Sequence, residues 1–240
     1  MSAVDQPPAL DVRVSFWEHL DELRRRLTVS LLLLAGASAL VYPFTPAITE
    51  WLARPLGGLF FTRPFEAFDT RLKVSCCLGL AASLPLVFAQ AWAFAGPALG
   101  VRARRTLGRT LPAAYVLFLA GGALAFFVVL PPATAFFLSF GTQDVHPLIS
   151  ISEYVDFTLR LVVSFGLAFQ TPLVMLLLAR LGIVSSARMR GARRGVYLTA
   201  FVAGAFLTSP EVLTQISLAV SLIALYELGL ILTSGARREA

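Results

Sequence analysis

Six long apolar blocks dominate this chain, and no soluble fold of its size could bury them all. They run over about 27–44, 72–95, 111–130, 155–178, 195–208 and 212–232. A helix rises 1.5 Å per residue, so about 20 residues cross a hydrocarbon layer roughly 30 Å thick. The fifth block, about 14 residues, reaches only about 21 Å. It is expected as a short span over thinned bilayer, joined to the sixth by a tight turn rather than forming a re-entrant arm. Of the 240 residues 57% are hydrophobic and 14% charged, against about 25% charged in a soluble domain. The expected fold is an all-α polytopic membrane protein with six transmembrane helices.

Local signals set the block limits. Ser209-Pro210-Glu211 reads as N-cap, first-turn proline and first-turn acid. Ser150 and Glu153 have capping-box spacing ahead of the fourth block, and Arg180 with Gly182 closes it as last-turn cation and C′ glycine. Pro131-Pro132 is expected to stop the third helix. Ile48, Trp51 and Leu52 share one face of a short helix expected in the membrane interface, with Glu50 and Arg54 away from that face.

Charge sets the orientation. Arg13 and Arg24–Arg26 precede the first block, Arg102, Arg104, Arg105 and Arg109 follow the second, and Arg180, Arg188, Arg190, Arg193 and Arg194 follow the fourth. Arg237 and Arg238 end the chain, and only Arg54, Arg63, Arg71, Lys73 and Arg160 remain for the other side. By the positive-inside rule both termini are cytoplasmic. The net charge of +6 does not suggest nucleic acid, because no basic stripe with interleaved aromatics accompanies it. The opening residues carry acids and Pro7-Pro8, unlike a cleavable signal peptide. Adjacent Cys76 and Cys77 offer neither metal-ligand spacing nor a disulfide framework and read as ordinary buried residues. Residues 1–14 form a flexible N-terminal segment, 15–234 one membrane domain and 235–240 a tail.

A few polar residues stand out. Ser15 and Glu18 have capping-box spacing, and Phe16, Leu20, Leu23 and Leu27 share a face, so an amphipathic cytoplasmic helix leads into the first span. On it Asp21–Arg25 and Glu22–Arg26 have i,i+4 spacing. Glu22 is either half of such a pair or a carboxylate presented to a cationic ligand. His19 and His146 have no nucleophile partner in sequence, so no catalytic or metal site is expected. Gln170, followed by Thr171-Pro172, needs an internal partner at mid-bilayer, as glue between helices or as a polar spot on a substrate path. Glu227 is a charge inside the sixth block, close enough to its cytoplasmic end to snorkel.

Together these pieces resemble the TatC family, the multispanning core of the twin-arginine protein translocase, from about Phe16 to Leu232. The resemblance rests on His19-Leu20-Asp21-Glu22-Leu23-Arg24, Pro64-Phe65-Glu66-Ala67-Phe68 with Lys73, Gln90-Ala91-Trp92-Ala93-Phe94, Pro97-Ala98-Leu99 and Arg104-Arg105. It continues through Gly122, Phe126, Pro131, Ser152-Glu153-Tyr154, Phe165-Gly166, Phe169-Gln170, Pro172, Thr208-Ser209-Pro210-Glu211, Gln215 and Tyr226-Glu227.

The resemblance implies export of folded proteins that carry an Arg-Arg signal peptide, driven by the proton-motive force, with no cofactor and no enzymatic step. It implies TatA-like and TatB-like single-span partners, an oligomeric complex and a bacterial inner membrane. It assigns signal binding to Glu22, Arg24, His19, Phe94, Pro97, Leu99 and Arg105. Gln170 and Glu227 become intramembrane polar positions, and Pro64, Glu66, Phe68, Glu153, Tyr154 and Glu211 structural positions on the outer side. Two guanidiniums need carboxylates held in place, the bidentate pairing that makes such contacts strong. One departure weakens the match: Ala103 stands where the family commonly has an acid, leaving Val101-Arg102-Ala103-Arg104-Arg105 wholly basic. A divergent paralogue with weakened signal recognition is therefore one alternative, and a small-solute transporter, with only Gln170 at the midplane, another.

Overall fold

The computed structural model describes residues 16–54, 59–142, 148–208 and 212–235, with backbone alone at 16, 95–109 and 235. Ser15, Ser209, Glu211 and the segment 1–14 lie outside the described residues, so the caps assigned to them do too. The first helix, α1 (Phe16–Val41), carries Glu18 in its first turn, where a carboxylate faces unpaired N–H groups. A 3₁₀ turn, Tyr42–Phe44, then leads into α2 (Thr45–Ala53), and a proline opens each. The short helix expected around Ile48 is this α2. Its apolar face is turned onto the bundle rather than outward: Leu52 is buried, and Ile48 packs on the same core.

Helix α3 (Glu66–Leu124) is one continuous helical run along the chain, although the apolar pattern divides it into two blocks. Val74, Cys77 and Leu78 from its first arm line the same groove as Phe118, Leu119 and Gly122 from its second. The chain therefore reverses between the arms. Contrary to expectation, the prolines at 131 and 132 do not stop the third helix, which runs on through them to Leu138. A π-turn, Ala125–Val129, passes into α4 (Leu130–Leu138), whose first turn holds both prolines. A wider turn changes which carbonyls have helical partners, so prolines can sit at the start of a new segment without breaking the rod.

Next along the chain come α5 (Ile151–Ala168) and α6 (Thr171–Arg180), separated at Phe169-Gln170 ahead of Pro172. Arg180 and Gly182 end α6 as read from the sequence, with Gly182 at φ +72°, a left-handed position that glycine adopts without steric cost. A short helix that the sequence pattern does not announce, α7 (Ser186–Gly191), starts where the Ser185 hydroxyl accepts from the Arg188 N–H at 3.3 Å. Then α8 (Arg193–Leu207) and α9 (Val212–Gly235) form an antiparallel hairpin. Five helical stretches among the described residues are long and apolar enough to cross a membrane: 17–53, 66–94, 110–138, 151–180 and 212–234. At 15 residues, α8 spans about 22 Å.

The core sits where both arms of α3 meet α5 and α9, around Val74, Val129, Val155, Leu161, Phe165 and Leu218. Glycine makes this approach possible. A Cβ on Gly121 would stand 2.5 Å from the Phe165 carbonyl oxygen, and one on Gly166 would stand 2.6 Å from the Phe118 ring. Small residues let helix backbones close up where water supplies no driving force. Between α2, the α3 arms and α5 lies an apolar groove of about 290 Å³. Cys77 lines it half-buried and Cys76 is exposed, so the expectation that both are buried fails.

Candidate functional site at the arginine-rich end

One end of the bundle gathers the start of α1, the end of the first α3 arm, the end of α6, and α7 with the second half of α9. Trp92 packs with Leu177 and Leu181, and the Tyr226 hydroxyl donates to the Met189 carbonyl at 2.6 Å. Arg24, Arg25, Arg26, Arg180, Arg188, Arg190, Arg193 and Arg194 belong to the elements that meet here.

On α1, positions 19, 22 and 26 face positions 90 and 94 of α3. His19 stacks on Phe94 with ring centroids 4.4 Å apart and planes 22° apart. Glu22 Oε1 accepts from Arg26 Nε at 2.9 Å and Nη2 at 2.7 Å, while Arg26 Nη1 donates to Gln90 Oε1 at 3.1 Å. The two charged side chains are 31% and 25% exposed, so the pair is neither free in solvent nor sealed. Both Arg26 bonds fall on one carboxylate oxygen, Oε1, and among the described residues Oε2 has no donor.

Of the sequence-assigned residues, the structure thus brings together Glu22, His19 and Phe94. Arg24 is exposed on α1, and its carbonyl accepts from the Thr28 hydroxyl. The side chains of Pro97, Leu99, Ala103 and Arg105 lie outside those described. Arg26 and Gln90 were not assigned from sequence. Arg26 was legible as the i,i+4 partner of Glu22, and Gln90 as a polar residue inside an apolar block.

The polar residues expected inside the spans are partnered within the chain. Gln170 Nε2 donates to the Ala114 carbonyl at 3.1 Å and to Gly166 at 3.4 Å, spanning the break between α5 and α6. Glu227 accepts from Arg193 at 2.7 Å and from the Tyr197 hydroxyl at 2.6 Å, tying α9 to α8. Lys73 joins Asp69 at 2.7 Å and Asp156 at 2.9 Å, linking α3 to α5.

At the opposite end Glu66 is buried. Its carboxylate accepts from the Thr62 N–H at 2.5 Å and hydroxyl at 2.9 Å, the Arg63 N–H at 3.0 Å, the Ser152 N–H at 3.1 Å and the Ser150 hydroxyl. Ser150 occupies the N-cap of α5, but its hydroxyl goes to Glu66 and not to the helix, so the expected capping box does not form. Tyr154 is buried in the core, whereas Pro64, Phe68 and Glu153 are exposed.

Residues 18–220 match the family described as Sec-independent protein translocase protein (TatC). The chain belongs to the TatC family. A TatC protein of Magnetococcus marinus is 36% identical over 92% of this chain and 84% of its own length. One from Synechocystis is 40% identical over 90% of this chain and 86% of its own. The fold agrees as well: the crystal structure of a twin arginine translocase receptor, TatC, superposes with a TM-score of 0.81 at 33% identity, covering 92% of this chain and all of that one. With its long apolar helices, this TatC-family chain is a multi-pass membrane protein. The Glu22, Arg26 and Gln90 cluster therefore stands at the arginine-rich end of a TatC fold.

Proposed function

We propose that this chain is the receptor subunit of a twin-arginine translocase, a non-enzymatic protein of the bacterial inner membrane. It spans the membrane six times, α8 being the short span, and has both termini in the cytoplasm. It uses no cofactor, works with TatA-like and TatB-like single-span subunits in an oligomeric complex, and draws on the proton-motive force. The arginine-rich end is cytoplasmic, in line with the positive-inside rule.

The observation that carries the reading is Glu22, held half-exposed beside Arg26 and Gln90, with His19 stacked on Phe94 next to it. A signal guanidinium binds the open oxygen of Glu22 or displaces Arg26, which keeps Gln90 as its second partner. Arg26 thereby acts as an internal competitor that holds the carboxylate in place between cargoes. Pro97, Leu99, Arg24 and Arg105 border the same site in this proposal.

The test is crosslinking from position 22 to an Arg-Arg signal peptide, with export measured for Glu22→Ala and Glu22→Gln. Unchanged export in both variants removes the role given to Glu22. A second reading, weakened signal recognition, draws on Ala103 in its basic stretch and on the hold of Arg26 over Glu22. Correct insertion without complementation of a strain lacking its own TatC selects that reading.

A further inference from the structure

The end of the molecule around Glu66 carries an exposed aromatic surface. Phe60, Phe61, Phe65, Phe68 and Phe140 are each more than half exposed, Phe65 at 82%. Five exposed phenylalanines at one end are more than the scatter of single apolar residues found on any surface.

Two independent observations say what covers them. The first is continuity. Phe65, Phe68 and Leu72 follow i, i+3, i+7 spacing along the start of α3, all are exposed, and this stripe runs into the span 66–94. The second is the backbone. Irregular chain is tolerated at membrane depth only where its polar groups are satisfied internally. Here the Phe60 N–H donates to Ile149 at 3.2 Å, and the Phe60 carbonyl accepts from Ile151 at 3.0 Å. The N–H groups of Thr62 and Arg63 end on the Glu66 carboxylate, and that of Glu66 on the Arg63 carbonyl. Glu66 thus takes the place of water for a segment that turns its phenylalanines outward. Arg63 is exposed beside them, a cation suited to the phosphate level of a leaflet.

We infer that this end is not a solvated loop region but an interfacial anchor, with the phenylalanines of 60–68 and Phe140 inserted in the outer-leaflet phospholipid. Interfacial elements of this kind sink about 5–10 Å into the headgroup and acyl boundary. The inference concerns the outer end and stands or falls independently of signal recognition by Glu22.

The test uses the full chain in phosphatidylcholine vesicles. Trp17, Trp51 and Trp92 are replaced by Phe, and one reporter is introduced as Phe61→Trp or Phe140→Trp, with Val116→Trp as the in-span reference. Blue-shifted emission, loss of most of it with lipids brominated near the headgroup, and little loss with aqueous acrylamide are expected. Strong acrylamide quenching with no effect of brominated lipid overturns the inference. So does shielding from both quenchers, which would mean that protein covers the surface. Hydroxyl-radical footprinting of the unmodified chain in the same vesicles guards against a misfolded variant. Low oxidation of the 59–68 peptide is expected, and oxidation as heavy as that of the α7 peptide overturns the inference.

Discussion

Glu66 and Glu22 are both carboxylates held by several donors, and they differ in what those donors leave over. The five donors around Glu66 come from two separate segments, 62–63 and 150–152. Removing the carboxylate leaves part-buried N–H groups without their acceptor, and an unsatisfied group costs more than one average bond contributes. Glu66→Ala is expected to lower the thermal unfolding temperature in detergent by several degrees. Glu66→Gln, which keeps one acceptor oxygen, should lose less; no loss in Glu66→Ala would mean that these contacts have no energetic role. Glu22 keeps an open oxygen. Glu22→Gln is expected to weaken Arg-Arg signal peptide binding about tenfold, the size of one charge-assisted contact, with unfolding temperature unchanged. The acids themselves were legible in sequence because each sits in a recognisable string of residues. The contacts between distant segments were not: Arg26 meets Gln90 across 64 positions and Ser150 meets Glu66 across 84, and no local pattern encodes such distances.

Among the elements, the spans were readable because apolar length is written directly along the chain. The end of α6 was readable because Arg180 and Gly182 are local signals. What failed to show was decided between helices. The α3 and α5 contact depends on Gly121 meeting the Phe165 carbonyl, and nothing near position 121 announces a backbone as its neighbour. Gly121→Ala is expected to destabilise the fold by about 1–3 kcal/mol, as overpacking does, because a carbonyl cannot move aside. Gly229→Ala should lose less, since its nearest obstacle is the Met175 sulfur at 2.5 Å, part of a pliable side chain. Unfolding of both variants in mixed micelles ranks them, and the reverse order would contradict the packing described. The break at Phe169-Gln170 belongs to the same class. Pro172 hinted at it, but the Ala114 carbonyl that receives Gln170 lies on another helix.

For the whole molecule, composition and arginine placement already implied a polytopic helical protein with a basic cytoplasmic face, and the TatC match and helical fold agree with the first half of that. Orientation is open to direct measurement. Alkaline phosphatase fused after Ala240 is expected to be inactive and fused after Thr142 active, with green fluorescent protein giving the opposite pattern. An active phosphatase at the C terminus would remove the six-span, ends-inside arrangement. Arginine placement told the two ends apart in charge, but what each end does with its acids was not legible, since acids and aromatics occur near both. Folding separates them: at one end a carboxylate keeps an oxygen open beside arginines, and at the other a carboxylate is consumed in holding chain segments together.

The π-turn at Ala125–Val129 acts as a phase shift. One residue beyond the α-helical repeat advances everything after it by about 100°, and everything after it includes both prolines, Phe136 and Phe140. Which way those rings point is thus set by a single inserted position rather than by their own spacing. Deleting one residue from 125–129 would leave helix content intact by circular dichroism yet swing Phe140 to a new azimuth, so that side chains at that end could be re-aimed without altering one of them.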